Sequence, residues 1–119
     1  MSTSITADVP LSGSTDFLGI KIAATAATGT TIHTATSTSG VDDEIYIYAT
    51  NSDTADHVLT IEWGGVTSPD NEIKMTIPAQ AGLILVIPGL RLRNSKVVYG
   101  FADSTNKIIV YGFVNRITN

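Results

Sequence analysis

Few side chains in this sequence are of the kinds that do chemistry, and their spacing limits what they can do. It has two histidines, His33 and His57, and 11 acidic residues. His33, His57 and the acids Asp42, Asp43 and Asp56 are the candidate donors to a metal ion. No H-x-H or H-E-x-x-H spacing joins them. His33 falls inside a strand pattern and His57 follows Asp56 at a strand start. Asp70 and Glu72 flank Asn71 and offer the oxygen ligands that calcium takes, but a polar hairpin loop accounts for the same three residues. Asp42-Asp43-Glu44 is an acidic run that a solvated strand entry explains.

Nucleophilic catalysis needs a Ser, Thr or Cys beside a base that a third group holds in place. The sequence has no G-x-S-x-G elbow, no phosphate-cradling P-loop and no dinucleotide-binding glycine pattern. Gly64-Gly65, Gly82 and Gly89 read as turn glycines. There is no cysteine, which excludes a disulfide framework and any thiolate metal site. The sequence therefore assigns no catalytic residue, no cofactor, no metal site and no small-molecule substrate, and a non-enzymatic role is expected.

The chain of 119 residues is the size of one domain with one core. Its charged fraction is 15%, against a usual share of about 25%. Its net charge is −4 and its cations are scattered, with only Arg91, Arg93 and Lys96 close together. Nucleic-acid binding needs a clustered basic footprint, so no nucleic-acid partner is expected. The longest apolar run, Leu83 to Ile87, falls far short of the ~20 residues of a membrane helix. The opening residues lack a basic n-region followed by an apolar stretch. No membrane partner is expected, and synthesis in a cytoplasm is.

The elements that must position these residues are strands. Leu18–Ala24, Thr30–Thr36, Glu44–Thr50, His57–Trp63, Glu72–Ile77, Leu83–Ile87, Lys96–Phe101 and Lys107–Ile117 are rich in β-branched and aromatic residues, and several alternate with period two. Turn signals such as Ser39-Gly40, Asn51-Ser52-Asp53 and Pro88-Gly89 separate them. Eight strands in about a hundred residues predict an all-β, two-sheet antiparallel sandwich, with a jelly roll as one form of it. Ile61, Trp63, Ile73, Met75, Leu85 and Ile87 are the expected core. Leu83–Ile87, apolar on both faces, reads as a central strand. Residues 1–17 read as an extended N-terminal arm outside the sandwich domain of residues 18–119, because they lack apolar periodicity.

Two further strands are apolar on both faces. Glu44–Thr50 carries Ile45 and Ile47 on one side and Tyr46 and Tyr48 on the other. In Lys107–Ile117, Ile108, Val110 and Val114 oppose Ile109, Tyr111 and Phe113. A sandwich has one inside, so the second set is expected at an interface. Tyr46, Tyr48, Tyr111 and Phe113 are the interface candidates on the body. Ile5, Val9, Leu11 and Phe17 are those on the arm.

The runs Thr34 to Asn51 (TATSTSGVDDEIYIYATN), Leu59 to Gly65 (LTIEWGG), Ile77 to Leu83 (IPAQAGL) and Gly112 to Thr118 (GFVNRIT) resemble small virion proteins of tailed bacteriophages. The resemblance covers roughly residues 30 to 119 and not the arm. It implies a structural role, best a capsid decoration (cement) protein that binds the major capsid protein on the virion surface and forms a homo-oligomer, with a trimer favoured. A neck, tail or fibre position is a second implication. A module binding a host glycan or receptor, built on exposed aromatic rings, is the alternative from another class. No functional residue carries over from the resemblance.

Overall fold

The structure is a computed structural model that describes residues 3–119. The described residues form nine β-strands. These are β1 (Ser4–Pro10), β2 (Ile20–Lys21), β3 (Thr30–Thr34), β4 (Val41–Asn51), β5 (His57–Trp63), β6 (Glu72–Ile77), β7 (Ile84–Leu92), β8 (Val97–Ala102) and β9 (Ile108–Thr118). One sheet has the order β1-β9-β4-β7, with β2 pairing the same edge of β9 as β1. The other has the order β3-β8-β5-β6. Every pairing is antiparallel. The protein is an all-β, two-sheet antiparallel sandwich, as its alternating strands predict. After β2, every connection crosses between the sheets except the β5–β6 hairpin.

The core lies between the sheets. Ile45, Ile47 and Ala49 of β4 meet Val110 and Val114 of β9 and Leu59 and Ile61 of β5, all fully buried. Of the expected core, Ile61 and Ile87 are buried, while Trp63, Ile73 and Met75 are partly buried against the cluster. Leu85 is 43% exposed, a correction with a local cause. The β4–β7 register slips between Ile47 and Tyr48, so that Tyr48 faces Leu85 and Val86 is passed over. A bulge breaks the two-residue period. It turns Val86 as well as Ile87 inward and Leu85 out.

β7 is also an edge strand and not a central one, and it runs on through Pro88-Gly89 to Leu92. A proline is tolerated at a sheet edge, where its missing N–H is not needed. Gly89 has φ +88, and an added Cβ there would sit 2.8 Å from the Tyr46 ring. The turn signal is thus a second bulge, between Ile45 and Tyr46 in the register.

The arm is corrected as well. Met1 and Ser2 lie outside the described residues, but Ser4–Pro10 pairs with β9 from Thr118 to Phe113 and belongs to the body. An edge strand can be held by backbone hydrogen bonds alone, so it needs no apolar alternation. What alternation it has is broken by a bulge between Thr6 and Val9, where Asp8 has φ 55. Leu11 is 1% exposed, inside the core. Beyond it, the Gly13 amide donates to the Ile32 carbonyl of β3 at 2.9 Å. The segment therefore leaves one sheet at β9 and fastens to the other at β3, closing that side of the sandwich.

Candidate functional site

The outer face of the β1-β9-β4-β7 sheet carries the aromatic side chains. Register sets them in rows. Pro88, Tyr46, Phe113 and Pro10 stand side by side across β7, β4, β9 and β1. Leu85, Tyr48 and Tyr111 form the next row. The Tyr46 and Phe113 rings stack with centroids 4.8 Å apart and planes 14° apart. The four predicted rings are partly exposed, and no strand among the described residues is layered over the face. Gly19 skirts its margin, and a Cβ there would strike Ile109 and the Tyr111 ring.

Of the eight predicted interface residues, these four share one face. Ile5 and Phe17 are exposed at 63% and 47%. Leu11 and Val9 are corrected: Leu11 is in the core and Val9 packs against it, because both face the other sheet once β1 is docked.

A charged cluster bounds one end of the face. Asp42, buried at its base, accepts at Oδ2 from Arg93 Nη2 at 3.0 Å, Arg91 at 3.4 Å and the Asn119 amide at 3.1 Å, and its Oδ1 is ion-paired with Arg93 Nε. Burial pushes its carboxyl upward, but the Asn119 and Arg93 hydrogen bonds prevail and hold it below the usual carboxylate range. Glu44 accepts from the Tyr46 hydroxyl at 3.1 Å and from Asn115 at 3.3 Å.

The histidines go to separate places. His33 is fully buried. Its Nδ1 accepts the Ser12 backbone N–H at 2.9 Å, so the ring proton sits on Nε2 and is donated to Asp43 at 2.8 Å. Asp43 in turn accepts from Arg116 Nε at 2.9 Å and from the Thr36 amide at 3.1 Å. Burial lowers the His33 pKa, against the opposing pull of Asp43. Ser12, His33 and Asp43 stand in the order of a nucleophile triad, but the nitrogen that would take the nucleophile's proton is occupied by an amide. The Ser12 hydroxyl instead accepts the Thr34 N–H at 2.7 Å.

His57 lies at the other end of the sandwich. Its Nε2 is 2.7 Å from Asp53 and its Nδ1 is 2.9 Å from Asp103. The hydrogen bond to Asp53 raises its pKa, burial opposes this, and Asp103 adds to it. The bridge ties the β4–β5 loop to the β8–β9 loop. Asp56 does not join it, because its carboxylate accepts the Ala79 amide at 2.8 Å. Among the described residues no group of three or more His, Asp or Glu side chains is arranged to hold a metal ion. Glu72, the first residue of β6, accepts from the Ser68 hydroxyl of the preceding loop at 3.1 Å. Asp53 stands four residues before His57, a spacing that marks it in hindsight. Nothing in the sequence marks Asp103 or Ser12.

On the other sheet, an open groove of about 290 Å³ is lined by Thr28, Gly64, Val66, Ser95, Lys96 and Tyr99, among others. Beside it Glu62 is buried, with Oε1 accepting the Gly29 amide at 2.8 Å and Oε2 without a partner. No helix among the described residues is long and apolar enough to cross a membrane. No protein-family model, curated protein or solved structure matches the chain.

Proposed function

We propose that this protein is a structural component of a tailed-bacteriophage particle, a decoration protein that binds and stabilises the major capsid shell. The observation that carries the reading is the aromatic sheet face. Tyr46, Phe113, Tyr48 and Tyr111 form a continuous patch with Leu85, Pro88 and Pro10 over which no strand among the described residues is layered. Tyrosine-rich faces bring contact area and a polar tip at low entropy cost, which suits burial against another protein. The resemblance of residues 34–51 and 112–118 to phage virion proteins falls on the strands that build this face. Two sheets in which, after β2, every connection but the β5–β6 hairpin crosses from one to the other support reading the sandwich as a jelly roll, an architecture of viral capsid domains. The partners are the major capsid protein and other copies of this chain in a closed ring, a trimer suiting three-fold sites.

The test is binding of the purified chain to capsids that lack it, followed by sedimentation. Saturation at the stoichiometry of the capsid lattice supports the reading. Attachment at a single vertex would move the protein to the neck or tail, and no binding at all would remove it from the virion.

A second reading has its own observation. The groove beside Tyr99 offers a ring, the Lys96 ammonium and the Ser95 and Thr28 hydroxyls, and its volume is at the small end of ligand sites, about 300–1,000 Å³. A virion-borne module binding a host glycan would use it. Retention on a glycan surface that Tyr99→Ala abolishes would favour this reading.

A further inference from the structure

Leu11 and Ser12 sit at the one place where the N-terminal segment passes from sheet to sheet, and His33 is the titratable side chain that helps hold it there, beside the buried Leu11, the Thr34 N–H on the Ser12 hydroxyl and the Gly13 N–H on the Ile32 carbonyl. The imidazole bridges three elements. On β4 it meets Asp43, and behind Asp43 stands Arg116 of β9. From the N-terminal segment it receives only the Ser12 N–H. β8, paired beside it, brings Val97 and Val98. The charged groups at the site are therefore one carboxylate and one guanidinium, which already neutralise each other.

We propose that His33 is a proton-operated latch on the N-terminal segment: protonation at Nδ1 expels the Ser12 amide and undocks the segment from Ser4 to Ser14.

The hydrogen bond exists only while Nδ1 carries a lone pair. A proton there would set two N–H groups head to head and leave the Ser12 amide without an acceptor. It would also add a positive charge to a buried site whose carboxylate is already matched by Arg116. Burial keeps the docked imidazole neutral below the ordinary imidazole range. An undocked, hydrated His33 takes the proton more readily. Acid therefore favours the undocked state by linkage, by up to about tenfold for each pH unit below the ordinary value of about 6.5. Undocking uncovers the edge of β9 from Phe113 to Thr118, to which β1 is otherwise paired. The latch does not depend on the virion reading.

Hydrogen exchange of the full chain, read by mass spectrometry and corrected for intrinsic rates, tests it between about pH 7.5 and about pH 4.5. Amides of residues 4–14 should lose protection as pH falls, while those of β4 at Ile45 to Ala49 keep theirs. His33→Asn keeps an acceptor facing Ser12 and cannot titrate, so its N-terminal protection should no longer depend on pH. Unchanged protection of residues 4–14 in the wild type overturns the proposal. So does parallel loss in β4, which is global unfolding. A pH slope that persists in His33→Asn overturns it too, by moving the titration to another group. If His33→Asn does not fold, nitrogen chemical shifts of the wild-type imidazole decide. Titration of His33 Nδ1 in step with the residue 4–14 amides supports the latch, and titration out of step overturns it.

Discussion

Tyr46 of β4 lies flat against Phe113 of β9, with ring centroids 4.8 Å apart, on the outside of the sandwich. Such a pair contributes about 0.5–1.5 kcal/mol beyond its buried area, so part of its value is local to the sheet. The neighbouring Tyr48 and Tyr111 are opposed in register on the same face, and there the two roles separate. If the face is an interface, replacing Tyr48 and Tyr111 together by Ser should abolish self-association and leave the melting temperature within a few degrees. Light scattering at tens of micromolar checks this, and a wild-type chain that is already monomeric at that concentration would count against the self-association.

Ile61 and Leu85 test the bulge in β7. Ile61 is fully buried, so Ile61→Ala should cost about 2–5 kcal/mol in a denaturant titration. Leu85 is 43% exposed, so Leu85→Ala should cost under about 1 kcal/mol. Equal losses would mean that β7 is not bulged at Val86 and that Leu85 faces the core.

The strands most legible in the sequence are those whose two faces differ. Ile45, Ile47 and Ala49 against Tyr46, Tyr48 and Thr50 is a two-residue period that survives intact in β4, and it correctly sets the Ile side inward. β7 is less legible because two bulges interrupt the period, and a Pro-Gly pair that usually ends a strand is accommodated at an edge. β1 is least legible. An edge strand exposed on nearly all its residues carries no burial pattern, and its pairing with β9 is a matter of backbone and not of side chains. The aromatic face was legible by the same argument as β4, as a surplus of apolar residues for one interior. The His33 and His57 clusters were not, because their partners Ser12, Arg116 and Asp103 stand 21, 83 and 46 positions away in the sequence.

The N-terminal segment should matter to stability. Deleting residues 1–14 removes the β1 ladder, the Leu11 side chain and the amide that His33 accepts. Leu11→Ala alone should cost about 2–5 kcal/mol, as for other truncations of a buried aliphatic. The deletion should cost at least as much, seen as a lowered melting temperature of the isolated chain. A truncated chain that melts with the full one would restore the segment to the status of a free arm.

His57 should make stability depend on pH from the alkaline side. Each ring nitrogen faces a carboxylate, Asp53 at 2.7 Å and Asp103 at 2.9 Å, and carboxylates only accept. The doubly protonated ring satisfies both, and the hydrogen bond to Asp53, with Asp103 adding to it, raises the pKa in the folded chain. The folded state therefore holds this proton more tightly than the unfolded one, whose value is about 6.5. Its contribution is fully present below about pH 6.5 and is lost as pH rises through the folded value. His33 has the opposite sign. Its pKa is lowered, so its effect appears below about pH 6.5, where the unfolded chain binds a proton that the docked ring refuses. Melting temperatures between about pH 6.5 and about pH 9 thus isolate His57. The wild type should fall across that window, and His57→Gln should start lower and run flat. Asp53→Asn should reproduce most of the flattening and Asp103→Asn less of it, since Asp103 is the more exposed partner. Added salt should weaken the slope, because Asp103 is half-exposed. A His57→Gln curve parallel to the wild type would mean that the ring is neutral in the fold, and that the two loops are held together without its charge.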